Sequence, residues 1–114
     1  MSKFRIRCWN KVLFLLHEID IGYEIVSARP DPAKITVKWI TFVGTKGLLK
    51  WALLKCPCGC GEVLNLSLMK NYEPNWVVKF DSKSRVTLSP SVWKNDGCRS
   101  HFFIRKGKVI WATA

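Results

Sequence analysis

Three of the five cysteines stand within five residues, as Cys56-Pro57-Cys58-Gly59-Cys60, and Cys98 offers a fourth thiol farther along the chain. Such crowding suits disulfides poorly, because a bridge demands a particular Cα separation and orientation. It suits metal better: four thiolates complete a closed tetrahedral zinc site of the structural kind. The spacing is tighter than the usual two to four intervening residues. On an extended strand, alternate side chains share a face about 7 Å apart. The backbone must therefore curl to bring three sulfurs to one ion, and Gly59 and Gly61 permit that. The alternative is a set of buried or free thiols without metal.

A second group combines a hydroxyl with an imidazole. Ser91 follows Pro90 near the end of one predicted strand, and His101 opens the next. Pairing of those strands across the intervening loop brings the two within hydrogen-bond reach, the geometry of nucleophilic catalysis. The same residues also read as a turn serine and a packed histidine, since such pairs are recognised by geometry and not by spacing. Ser100 is a rival nucleophile, although neighbours on a strand point to opposite faces and Ser100 adjoins His101. Ser89 shares a face with Ser91. Glu62, next to the cysteine run, reads either as a carboxylate orienting an imidazole or as a solvated strand-end charge. His17, the other histidine, reads as structural.

The elements that must position these groups are mostly strands. Phe4, Ile6 and Cys8 alternate with Arg5 and Arg7 as in a short strand. The apolar run from Val12 to Leu16 is ambiguous between helix and strand, and residues 29–33, with two prolines, read as a linker. Ile35 to Phe42 is rich in β-branched and aromatic residues, and Gly44 and Gly47 mark a turn. Leu48 to Leu54 leads into the cysteines. Val63 to Leu68 shows the period-two pattern of a half-buried strand. Trp76–Phe80, Val86–Ser89, Phe102–Arg105 and Lys108–Ala112 complete the strands, the last two joined by the hairpin turn Lys106-Gly107. The expected fold is mainly β, a small antiparallel barrel-like domain with little helix and a cysteine cluster pinning one end.

A chain of 114 residues suffices for one domain with its own core. Hydrophobic residues make up 48%, which excludes a disordered chain. The longest apolar run is far short of the roughly 20 residues a spanning helix needs, and no cleavage site follows the basic start. The reading is therefore cytoplasmic, without a membrane partner. The net charge of +11 admits nucleic acid, an acidic protein surface or an anionic membrane. The basic residues are spread along the chain, five in 1–30, five in 31–61 and nine in 62–114, so no basic arm for nucleic acid stands out. Tryptophans beside lysines, such as Trp39, Trp51 and Trp93, suit base stacking, but more often belong to packing, with lysine stems laid over them.

Three blocks together resemble a known family: Lys50-Trp51-Ala52 with Cys56 through Glu62; Val86 through Val92; and Gly97 through Ile104 with Val109-Ile110-Trp111. They are similar to the BubE-like small serine peptidases encoded in bacteria beside ubiquitin-like, E1-like and E2-like genes. The resemblance spans residues 44–112 well and 30–43 loosely. It implies a deubiquitinase-like hydrolase that cleaves after the C-terminus of a ubiquitin-like protein, to mature a precursor or to release it from targets. It also implies kinship with viral capsid-assembly proteases, compact β-barrel enzymes that pair a serine with two histidines. Here the only second histidine, His17, lies outside the matched blocks. The implied assignment is Ser91 as nucleophile, His101 as base and Glu62 as orienter. Backbone N–H groups near Arg99 or Ser91 would hold the oxyanion, and Cys56, Cys58, Cys60 and Cys98 would hold zinc. Residues 1–29 form an N-terminal extension packed on a single β domain of residues 30–114. Partners are a ubiquitin-like protein with its conjugates and the E1/E2-like proteins of the pathway, with no specific nucleic acid. The competing reading is a non-catalytic zinc module that docks protein or nucleic acid, with His101 as a possible ligand. A zinc hydrolase would need an open coordination position, which an all-cysteine set does not leave.

Overall fold

The computed structural model describes residues 10–112. Two four-stranded sheets face each other across one core. The first runs β1 (Gly22–Val26), β2 (Trp39–Thr45), β3 (Leu48–Lys55) and β4 (Val63–Ser67), in that order. The second runs β5 (Val77–Phe80), β6 (Val86–Trp93), β7 (His101–Arg105) and β8 (Lys108–Trp111). The mainly β expectation holds. The sheets are not closed on each other, so a barrel describes them only loosely, and β1 pairs with β2 in parallel rather than antiparallel. The predicted strand at residues 4–8 lies outside the described residues. Residues 10–15 are helical, which settles the ambiguous apolar run in favour of helix.

The core follows from alternation. Ile40, Phe42, Ala52, Leu54, Leu64 and Leu66 of the first sheet meet Val86, Leu88, Val92, Phe102 and Ile104 of the second, all of them buried. At roughly 25 cal/mol per Å² of apolar surface withdrawn from water, these facing side chains are the main stabilising term. Val86, Leu88 and Val92 of β6 point inward, and Thr87, Ser89, Pro90 and Ser91 between them are partly or fully exposed.

Two features of the second sheet shape the outer face of β6 and β7. First, β6 is longer than predicted and runs on through Pro90. Its register with β7 slips between Leu88, opposite Ile104, and Val92, opposite Phe102. Ser89, Pro90 and Ser91 therefore bulge opposite Phe103 alone. Proline is tolerated there because a bulged residue is released from the ladder, and β5 has already ended opposite Ser89. Second, Trp93 pairs directly with His101, and the loop 94–100 is closed by Lys94 N–H donating to Ser100 O at 2.9 Å. The β7–β8 hairpin turns at Lys106-Gly107 with φ of 48° and 75°, the two positive values of the turn that suits twisted hairpins.

Candidate active site and cysteine cluster

The outer face of β6 and β7 carries Ser91, Trp93, His101 and Phe103. Alternation aims them away from the core, and the bulge brings Ser91 beside His101. Ser91 Oγ lies 2.8 Å from His101 Nε2. The Ser91 carbonyl accepts from Trp76 Nε1 at 3.4 Å, which ties this stretch of β6 to the partly buried Trp76. His101 lies flat against the Trp93 indole, with centroids 4.6 Å apart and planes 5° apart. Phe103 flanks it at 5.8 Å, itself covered by the Arg105 guanidinium at 4.5 Å. Among the described residues, neither Ser91 nor His101 lines the hollows of about 280 to 510 Å³ found elsewhere on the surface. Ser91 and His101 are each partly buried on this sheet face.

Glu62 is placed elsewhere. Its carboxylate pairs with the Lys94 ammonium, and Lys94 also reaches Cys98 Sγ at 3.4 Å. Among the described residues no carboxylate is hydrogen-bonded to His101. Ser100 is buried, and its hydroxyl lies 3.1 Å from Cys98 Sγ and 3.5 Å from Cys56 Sγ, against sulfur and away from the imidazole. The Arg99 N–H donates to Asp96 O at 3.1 Å and so is already engaged. The His17 carbonyl accepts from Lys108 Nζ at 2.8 Å.

The cysteines form a second centre. Cys56 N–H donates to Glu62 O at 2.9 Å, closing the tip of the β3–β4 hairpin, and Gly59 N–H donates to Cys56 O at 3.2 Å. This is a turn with Pro57 at its second position and glycine at its fourth, where each is favoured. Gly59 and Gly61 have φ of 91° and 84°, which is the curl the spacing required. Cys98 arrives from the β6–β7 loop of the other sheet. The four sulfurs lie within 4.8 Å of one another, with Cys56 at 3.3 Å from Cys58 and 3.7 Å from Cys98. A tetrahedral ion with sulfur bonds of about 2.3 Å sets its ligands about 3.8 Å apart, so the donor set fits such an ion. His101 stands outside this cluster, on Ser91.

The surroundings treat the four thiols unequally. Burial pushes the Cys56 thiol up to about 11, whereas the Ser100 hydroxyl, followed by its backbone N–H, brings Cys98 down to about 5. Burial works to lower the Lys94 ammonium, but the hydrogen bond to Cys98 and the charge of the neighbouring thiolates hold it raised. The Cys60 N–H donates to Cys58 Sγ at 3.3 Å. Outer-shell donors of this kind orient ligands and offset the negative charge of a four-thiolate site.

A family model described as the bacterial ubiquitination-like system serine protease (BubE) matches residues 26–112. The chain belongs to the BubE family. Comparison with curated proteins and with solved structures gave no match. The BubE match takes in the whole outer face of β6 and β7 and all four clustered cysteines, and it begins within β1, earlier than the blocks of resemblance reach. Among the described residues no helix is long and apolar enough to cross a membrane. Sequence reasoning missed the Trp93–His101 stack. The signal was available, since the two residues flank the loop 94–100 symmetrically and a closed loop makes them a cross-strand pair.

Proposed function

We propose that this BubE protein cleaves the peptide bond after the C-terminus of a ubiquitin-like protein, either maturing a precursor or removing the modifier from its targets. The observation that carries the reading is the 2.8 Å contact between Ser91 Oγ and His101 Nε2 within a family described as serine proteases. Ser91 attacks the scissile carbonyl while His101 takes its proton. The imidazolium then returns that proton to the leaving amine, and water repeats the sequence on the acyl-enzyme. With the Arg99 N–H engaged, oxyanion donors are sought in the backbone around Ser91. The position of the pair on a sheet face supports a protein substrate. An extended tail can lie along a sheet and hydrogen-bond through its backbone.

The four cysteines hold zinc in this reading. Bound there, the ion supplies a structural crosslink between the β3–β4 hairpin tip and the loop that joins the strands of Ser91 and His101. Partners are the ubiquitin-like protein, its conjugates and the E1/E2-like proteins of the same cytoplasmic pathway. The test is a ubiquitin-like protein carrying a C-terminal extension, with products read by mass spectrometry. Cleavage at the end of the modifier by the wild type, lost in both Ser91→Ala and His101→Ala while each retains its fold, is the expected result. Undiminished cleavage by both variants overturns the assignment.

A further inference from the structure

The imidazole of His101 is held at one nitrogen. Nε2 is engaged with Ser91, and Nδ1 has no hydrogen-bond partner among the described residues. The torsion that turns an imidazole about its Cβ–Cγ bond is broad and nearly two-fold, so a single hydrogen bond leaves the ring free to swing away. In a serine triad an acidic third member prevents that swing and stabilises the imidazolium. Here the carboxylate expected in that role, Glu62, is paired with Lys94.

What lies on the ring instead is Trp93. The planes are 5° from parallel with centroids 4.6 Å apart, and the two residues are direct cross-strand partners. Trp93 remains 66% exposed, and His101 is the ring on which it is stacked. A stacked indole blocks rotation of the imidazole out of its plane. Its negative face also favours the imidazolium that forms when the Ser91 proton arrives. Phe103, on the same face, completes the slot at 5.8 Å.

We propose that Trp93 is the positioning residue of His101, keeping Nε2 on Ser91 by stacking where a triad would use a carboxylate. The proposal rests on the peptidase reading of Ser91 and His101. The experiment is the second-order rate of modification by a small fluorophosphonate, with the modified residue identified by peptide mapping. In that reaction Ser91 Oγ bonds to phosphorus, fluoride leaves and His101 takes the hydroxyl proton. The probe is too small to report the binding of a long substrate tail, so a Trp93 that served only as a docking surface would not affect it.

Trp93→Phe keeps a stacked ring and is expected to react within about threefold of wild type, whereas Trp93→Leu and Trp93→Met are expected to slow by about tenfold, the scale of a cation–aromatic contact. Thermal melts confirm folding, and two aliphatic variants guard against failure of one. In the His101→Ala background Trp93→Leu should have no further effect, because a positioning residue acts only through the group it positions. Labelling of Ser91 at the wild-type rate in a folded Trp93→Leu or Trp93→Met overturns the proposal and leaves the peptidase reading standing. Absence of Ser91 labelling in the wild type overturns both.

Discussion

Lys94 links Glu62 of the β3–β4 hairpin tip to Cys98 of the β6–β7 loop at the level of single side chains, with its side chain 6% exposed against 49% for Glu62. Glu62→Gln removes the charge of the ion pair but keeps an amide oxygen for the Lys94 ammonium, so it should lower the urea midpoint of unfolding only modestly. The rate at which Ser91 reacts with a fluorophosphonate should change by less than about twofold, because Glu62 does not touch His101. A dead Glu62→Gln would restore the orienting role that the resemblance implies. Ser100→Ala tests the other side of the same loop. Its hydroxyl supports Cys98 and Cys56, so metal affinity should fall by about tenfold or more, read by competition with a chromophoric chelator, with Ser91 still reactive. The contact of Ser91 with His101 depends on a bulge that no residue pattern announced, but the pairing of their strands across a short polar loop was legible in the sequence. The placement of Glu62 was not. It depends on the tip of one sheet's hairpin lying against a loop of the other, and no local pattern encodes that contact.

The strands with strict alternation, such as Val63–Ser67, and the Lys106-Gly107 hairpin were readable at the level of elements, because burial on one face and positive φ each impose a residue type. The others were less so. Gly22–Val26 opens on glycine, carries Glu24 and pairs in parallel, so neither propensity nor a hairpin turn announces it. The predicted strand from Ile35 starts four residues later in the structure, at Trp39, because residues 32–34 form a 3-10 turn capped by Asp31 and Ile35 serves a separate small core with Val43 and Leu53. Two hairpin turns yield predictions. A Cβ on Gly107 would run into Ile19 and would sit at φ 75°. Gly107→Ala should therefore destabilise by about 1–3 kcal/mol in equilibrium unfolding. In the β5–β6 turn, Asp81 accepts from Lys83 N–H and Arg85 N–H at 2.9 Å each and from Arg85 Nε at 2.6 Å. Burial works to raise its carboxyl, but these donors outweigh it and hold the value below the usual one. A lowered native value means stability that is present above the unfolded value, about 3.9, and is lost as pH falls through the native one. Thermal melts of Asp81→Asn should show a flatter decline in that acid range than wild type, with about 1 kcal/mol lost near neutrality.

Taken whole, the molecule is two sheets joined by an apolar core and, in the zinc reading, by one ion. Metal analysis is expected to find about one zinc per chain, and a strong chelator should lower the melting temperature, because metal-binding energy is folding energy. A fold indifferent to chelation would rule out a structural ion. The charge of +11 should give weak nucleic-acid binding at low salt that disappears near physiological salt, as counterion release requires. Retention of tight binding there, measured by fluorescence anisotropy, would favour the docking-module alternative. The cysteines also have an unequal history in time. Cys56, Cys58 and Cys60 are neighbours in any conformation of the chain, whereas Cys98 lies 42 residues beyond Cys56. A denatured chain can thus already carry the ion on three sulfurs with water completing its shell, and binding to the unfolded state subtracts from what the metal adds to stability. Only exchange of that water for Cys98 belongs to the native state. Cobalt in place of zinc would make the exchange visible as a change in ligand-field colour, an optical clock for the moment when the two sheets meet.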